Sequence, residues 1–324
     1  MNGVTIAGGL AGIAGMAGAV SAGTVVARRP RTFQPSGHAI AWPTTIDPLP
    51  DVLRRGLGGL TVPVTPGPHG ELFLGPGVPQ PGRTLRRLVL TPLFARIASR
   101  GGRLSREQQT PFRLVVEFAG AIREAETLLR AYRMLDQQLR DHAELLSRCE
   151  GDTVVPGAVT VSVSGIVDVR ELLATQSERY AFADGTFDDL GSRSASPALV
   201  PVISELWSRR FGWDGREPIP AEERHLLHAL VRQAHDDGRM VRIAGLTGGP
   251  RRARRAIWTE LGLAGVDVIA DSDQRGLAAH LRRHPITRRM PITPLPTKAV
   301  RRASPRPHAS RADRRREPVQ GPVT

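Results

Sequence analysis

One cysteine, Cys149, in 324 residues excludes an internal disulfide and any multi-cysteine zinc site. The thiol is left with a buried or idle role. Aromatic residues are also scarce, at 4% of the chain, and none interleaves with the arginines near the C-terminus. Those arginines therefore have no platform on which bases could stack. Residues 1 to 27 lack any charged side chain until Arg28-Arg29, a length that suits a membrane span. Yet the stretch is rich in glycine, poor in leucine and isoleucine, and has no basic region before it, so it makes neither a firm anchor nor a standard secretory signal. Ala17-Gly18-Ala19 offers small residues for cleavage. The expectation is a targeting or anchoring segment with its linker over 1–36, which would make the protein secreted or membrane-associated, with a cytoplasmic location as the alternative.

Charge of one sign is in excess, +14 overall, but it is unevenly spread. Residues 281–324 carry +10 and the remaining 280 residues only +4. The body is nearly balanced. The segment 285–324 combines arginine with proline and has little apolar to bury, so the sequence predicts a disordered basic tail. Its 301–316 stretch, with Arg301-Arg302, Arg306 and Arg314-Arg315-Arg316, could touch anionic lipid or nucleic acid, or simply keep the protein soluble.

What is abundant is alternation of short apolar runs with helical patterns. Strands are expected at His38–Trp42, Leu57–Val64, Phe112–Phe118, Val159–Val163, Tyr180–Ala183, Leu199–Ile203, Met240–Ala244 and Val266–Ala270, with a return at Gly70–Leu74. Helices are expected over 83–100, broken early by Pro92, and over 121–148, 169–176, 221–237, 252–261 and 274–283. Eight strands in parallel order, covered by helices, are what a (β/α)8 barrel of the TIM type requires, placed here over 37–284. In such a barrel the chemistry lies at the C-terminal strand ends.

The order of motifs from His38 to His284 resembles the phosphatidylinositol-specific phospholipase C-like phosphodiesterases of the altered-inheritance-of-mitochondria type, relatives of glycerophosphodiester phosphodiesterases. The residues that carry it are Gly70-Glu71-Leu72, Arg83-Thr84-Leu85 leading to Leu90-Thr91-Pro92-Leu93, Pro156 to Val161 ending in Val163-Ser164-Gly165, Ile203-Ser204 with Trp207, Phe211 and Trp213, and Val266 to Ile269. The resemblance implies a lipid-metabolism phosphoric diester hydrolase in which two histidines do acid and base work. It also implies a Ca or Mg ion, held by asparagine and acidic residues, to neutralise the phosphate.

Carried over position by position, most of that apparatus is missing. His38 matches the first histidine, but the expected asparagine is Ala39. The Glu-Ala-Asp at the second strand end falls on Thr61-Val62-Pro63, the second His-Asp pair on Pro76-Gly77, and the Asp-x-Lys of the third strand on Glu117-Phe118-Ala119. Alanine, proline and valine cannot bind a hard metal or move a proton, so no metal ligand set and no cofactor is expected.

The candidate catalytic residue is therefore His38, as a general base, against a packed histidine. Glu117, Trp207 and Trp213 are the candidate ligand-binding residues. Glu117 could instead pair with an arginine, and Trp207, Phe211 and Trp213 could pack a core beneath a long loop. His69 is expected in a turn over the mouth. Asp271 and Asp273 look like a carboxylate pair, with Asp273 a helix cap, and Gly248 to Arg252 could hold a phosphate at a helix start. The resulting expectation is a degenerate member, a pseudoenzyme that binds a phosphorylated or lipid-like small molecule or a partner. The alternatives are an active hydrolase of a glycerophosphodiester or phosphoinositide-like lipid, and a protein that acts at anionic surfaces through its basic tail.

Overall fold

Each of eight parallel strands pairs with the next until the last meets the first. The computed structural model describes residues 32–41, 45–118, 125–164, 169–191, 195–246 and 249–286. The expected segment 1–36 lies almost wholly outside these residues, as does all but the start of the expected tail. The barrel strands are β1 (Gln34–Ile40), β2 (Leu57–Pro66), β3 (Phe112–Phe118), β4 (Val159–Ser164), β5 (Ala181–Gly185), β6 (Val202–Leu206), β7 (Met240–Ala244) and β8 (Val268–Asp271). Closure is made by His38 of β1, which stands level with Ala270 of β8 on one side and Gly59 of β2 on the other. The chain is a (β/α)8 barrel.

Strand parity assigns every side chain to one of two environments. In β4, Val159, Val161 and Val163 point out to the helices and join the outer apolar core, leaving Thr160, Ser162 and Ser164 for the lumen. In β3, Leu114 and Val116 face out, while Arg113, Val115 and Glu117 face in. In β7, Val241 and Ile243 face out, and Arg242 and Ala244 face in. The outer faces need apolar residues because helices cover them; the lumen, near its mouth, does not.

The cover is α1 (Leu49–Arg55), α2 (Thr91–Ala98), α3 (Ala125–Arg140), α4 (Val169–Ala174), a short α5 (Trp207–Arg210), α6 (Ala221–Asp236), α7 (Arg251–Ala264) and α8 (Gln274–Arg283). Leu128, Ala131, Tyr132, Leu135 and Leu139 form one buried stripe on α3 at the spacing of helical turns. The α7 stripe is Ala253, Ile257, Trp258, Leu261 and Ala264, and the helix stops where Gly265 turns left-handed at φ 85°. Asp273 caps α8 by accepting from the N–H of Gly276 at 2.8 Å.

Several expected elements are displaced, among them the helix over 121–148, which ends at Arg140 before a 3-10 turn at Ala143–Leu145 and a strand at Arg148–Glu150. The helix at 83–100 is regular only from Thr91; Pro92 has no N–H to return to the preceding turn, and Arg86–Leu90 widens into a π-helical turn. The sixth strand starts at Val202 instead of Leu199, because Leu199 and Val200 both return their N–H groups to Ser196 O in a turn. Strand β1 starts at Gln34, before His38, and Trp42 lies outside the described residues. Leu72–Leu74 adds an antiparallel strand to β2. Arg148–Glu150, Thr153–Val155 and Glu178–Arg179 form a small antiparallel sheet where the chain enters β4 and β5, opposite the mouth. Among the described residues, no helix is long and apolar enough to cross a membrane.

Two glycines test this packing in opposite directions. A Cβ on Gly59 would stand 2.2 Å from His38 Nδ1 and 2.8 Å from Arg113 O, whereas one on Gly262, in α7, would meet only Ile286 Cγ1 at 3.7 Å. Gly59→Ala is expected to destabilise the fold by about 1–3 kcal/mol through overpacking. Gly262→Ala should stabilise it by about 0.5–1 kcal/mol, because it lowers the entropy of the unfolded chain. Urea unfolding of the two variants should show midpoints moving apart, and midpoints moving together would contradict the packing described.

Candidate ligand site at the barrel mouth

Arg242 of β7 reaches Thr61 of β2 although β8 and β1 stand between those strands, so its side chain crosses the lumen. Its Nη2 donates to Thr61 Oγ1 at 2.7 Å and its Nη1 donates to Ser204 Oγ on β6. The same Nη1 stands 3.6 Å from Asp184 Oδ2 on β5. Four strands are thus tied by one buried guanidinium. Guanidinium groups stay protonated in proteins, so the charge persists although burial lowers its pKa; Asp184 and Glu117 oppose that shift.

Asp184 has the complementary problem. Its pKa is raised by burial first of all, against the pull of Arg242 and the nearby hydroxyls of Ser162 and Ser204. Those hydroxyls do not reach ordinary hydrogen-bond geometry, so neither carboxylate oxygen accepts a hydrogen bond. Both oxygens belong to a residue lining a cavity of about 440 Å³ at the C-terminal strand ends, which Thr61, Glu117, Ser204 and Arg242 also line.

His38 lies under this cavity and does not line it. It is wholly buried, and its Nε2 is 2.8 Å from Thr61 Oγ1, while Nδ1 has no partner. Since Arg242 can only donate, Thr61 accepts from it and keeps its own proton available for Nε2 of His38. Burial, then Arg242 and Arg113, hold the imidazole well below its usual pKa of 6.5, so it is neutral at physiological pH. A general base must reach its proton directly or through one water. In this arrangement a proton taken by His38 would pass through Thr61.

A second layer braces the rim. Arg170 of α4 grips Asp189 with two hydrogen bonds of 2.6 and 2.8 Å and donates to Asp184 O, which pulls the Asp189 pKa down. Glu205, buried at the end of β6, accepts from Leu206 N–H at 3.0 Å and from Arg210 Nε at 3.3 Å, and Arg210 also pairs with Asp188. These bonds pin the turn Phe187–Asp189, itself closed by a capping box between Thr186 and Asp189.

The expected site residues are therefore divided. Glu117 lines the mouth, exposed, and adds its field to Arg242 without closing to ion-pair distance. Trp207 and Trp213 lie in the outer core with Phe211 and wall a separate cavity of about 290 Å³. Their ring N–H groups are both used, on Trp213 O and Glu217 O. His69, at a left-handed φ of 57°, lines a further cavity with α3. Asp271 is buried, accepting from Trp258 Nε1 at 3.1 Å. The Gly248 to Arg252 run lies partly outside the described residues, and its arginines begin α7.

Thr61, Asp184, Ser204 and Arg242 converge at the mouth, and the sequence alone did not bring them together as a candidate site. The available signal was parity: each is a polar residue at a lumen-facing position of its strand, Thr61, Ser204 and Arg242 at mid-strand and Asp184 one residue from the end.

Calcium or magnesium would need several oxygen ligands, six or more for calcium. The residues present do not fit. Glu205 is engaged by backbone and Arg210, the guanidinium of Arg242 stands against Asp184, and among the described residues no three of His, Cys, Asp and Glu converge.

Comparison with known families and with curated proteins finds no match. Among solved structures the chain is similar to a glycerophosphoryl diester phosphodiesterase from Parabacteroides distasonis, at 11% identity and TM-score 0.43, covering 79% of this chain and 90% of that one. It is also similar to Haloferax volcanii malate synthase. A pyruvate/acetyl-CoA complex of that enzyme gives 13% identity and TM-score 0.28 over 70% of this chain and 52% of that one. A structure at 3 mM glyoxylate gives 12% and 0.36 over 82% and 78%. At these identities and scores the barrel assignment rests on the strand pairings themselves.

Replacing Arg242 with methionine removes the main force that opposes the raised pKa of Asp184. The variant should lose about 3–5 kcal/mol at neutral pH, the cost of leaving one member of a buried pair uncompensated. An acid whose folded pKa lies above its unfolded value costs stability as pH rises from the unfolded to the folded pKa, so the deficit should shrink in acid. Unfolding curves of wild type and variant across pH check this. A deficit equal at all pH values would contradict the pairing.

Proposed function

We propose that the protein is a ligand-binding barrel of the phosphodiesterase kind, which takes a small polar molecule at its mouth without metal-dependent cleavage of a phosphodiester. The observation that carries the reading is the position of Arg242. Its guanidinium supplies positive charge inside the lumen, held by Asp184, Thr61 and Ser204. Ala39, Thr61 and Pro63 stand where the resemblance would put ligands for a hard cation, and they offer none or only a hydroxyl. Thr61, Glu117, Ser164, Thr186, Ser204 and Arg242 supply polar groups that converge on one cavity, with Asp184 behind them.

His38 supports binding more than turnover. A neutral, wholly enclosed imidazole beneath Thr61 fixes the hydroxyl that in turn holds Arg242. Its role on this reading is positioning.

Thermal unfolding of the full chain with and without calcium or magnesium tests the proposal, because an ion bound to the native state raises stability by mass action. No shift is expected with either ion, and no turnover of a chromogenic phosphodiester. A rise in midpoint together with turnover abolished by His38→Ala would overturn the reading in favour of an active hydrolase.

A further inference from the structure

The inner wall of the mouth carries two opposite charges side by side, and both have unused hydrogen-bonding capacity. Asp184, with 4% of its side chain exposed, accepts no hydrogen bond at either oxygen, and both oxygens, like Arg242 Nε, are closed to solvent, so a ligand reaches them only by parting the wall. Arg242, 6% exposed and 3.6 Å away, has an unpartnered Nε, and each of its engaged terminal nitrogens keeps a second hydrogen. Glu117 adds a further carboxylate at the rim. Buried polar groups left unsatisfied cost free energy, so a ligand that answers them gains what the empty site forgoes.

Four ligand chemistries can be weighed against this wall. A simple anion satisfies Arg242 but sets its charge against Asp184 and Glu117. A simple cation satisfies the carboxylates and is repelled by the guanidinium. A neutral polyol donates to Asp184 and leaves the charge of Arg242 unanswered. A group bearing an ammonium and a carboxylate on one carbon presents the opposite pair of charges at closely similar spacing, and it brings donors to Asp184 and acceptors to Arg242 together. Charge-assisted bonds of both kinds are the strong ones.

Resting on the reading of the mouth as a ligand site, we propose that it binds a small zwitterion of the α-amino-acid kind. The ammonium donates to the exposed Glu117 and, as the wall parts, to Asp184, and the carboxylate accepts from Arg242. The hydroxyls of Ser164, Thr186 and Ser204 line the remaining volume and favour a polar side chain.

The test is calorimetric titration of the full chain with the standard L-amino acids, and with ethanolamine, glycolate, glycerol and inorganic phosphate as compounds that carry one feature each. At least one amino acid should bind saturably while the single-feature compounds do not. Glu117→Gln, at an exposed position where folding is safe, should weaken that binding on the order of tenfold. Asp184→Asn should weaken it further where the variant folds. Binding of phosphate or glycerol with no amino acid binding overturns the zwitterion and leaves the ligand site standing. Failure of every compound in the series overturns the zwitterion, and metal-dependent diester turnover overturns both readings.

Discussion

A cation held across the lumen is the constraint from which the rest of the mouth follows. Arg242 cannot give up its proton, so the barrel must surround it with acceptors: Asp184, Thr61 and Ser204 come from three other strands for that purpose. Each acceptor then has its own surroundings fixed. Thr61 is bound to His38, His38 needs the space that Gly59 leaves, and Asp184 lies near a cation that opposes the upward pKa shift burial imposes on it. Removing the guanidinium would leave these groups without a common partner.

The rim is built on a different principle. Arg170 with Asp189, and Arg210 with Glu205 and Asp188, are pairs closer to solvent that hold the turn after β5 against the ends of β6 and α4. Partly exposed pairs of this sort contribute little energy each, but several together fix a short segment. The inner wall therefore stays open to a ligand while the surrounding turn is tied down. At the inner wall, Asp184 and Arg242 keep unused hydrogen-bonding capacity beside the cavity.

The barrel was legible in the sequence because outward-facing residues such as Val159, Val161 and Val163, or Leu114 and Val116, form runs that only a helix-covered strand would bear. The site was less legible. Arg242 is one basic residue among 45 Lys and Arg, and its apolar neighbours Val241 and Ile243 mark it as lumen-facing without showing what it faces. Its meaning comes from facing Thr61 across 181 positions of sequence, a relation set by closure of the barrel. The aromatic cluster shows how one pattern suits two roles. Trp207, Phe211 and Trp213 follow a strand end, where ligand walls are expected; their rings pack on the outer core and also wall a separate cavity, and their N–H groups return to local carbonyls. Glu117 lines the mouth cavity because strand parity and strand end coincide there.

A double-mutant cycle joining Asp184→Asn with Arg242→Met measures the central interaction most directly. The account predicts that each single variant is destabilised and that the double variant recovers much of the loss, with a coupling of about 2–3 kcal/mol, since neither leaves the other's charge unanswered. Strictly additive losses, with coupling near zero, would mean that the two groups do not hold each other and that the lumen is organised around something else.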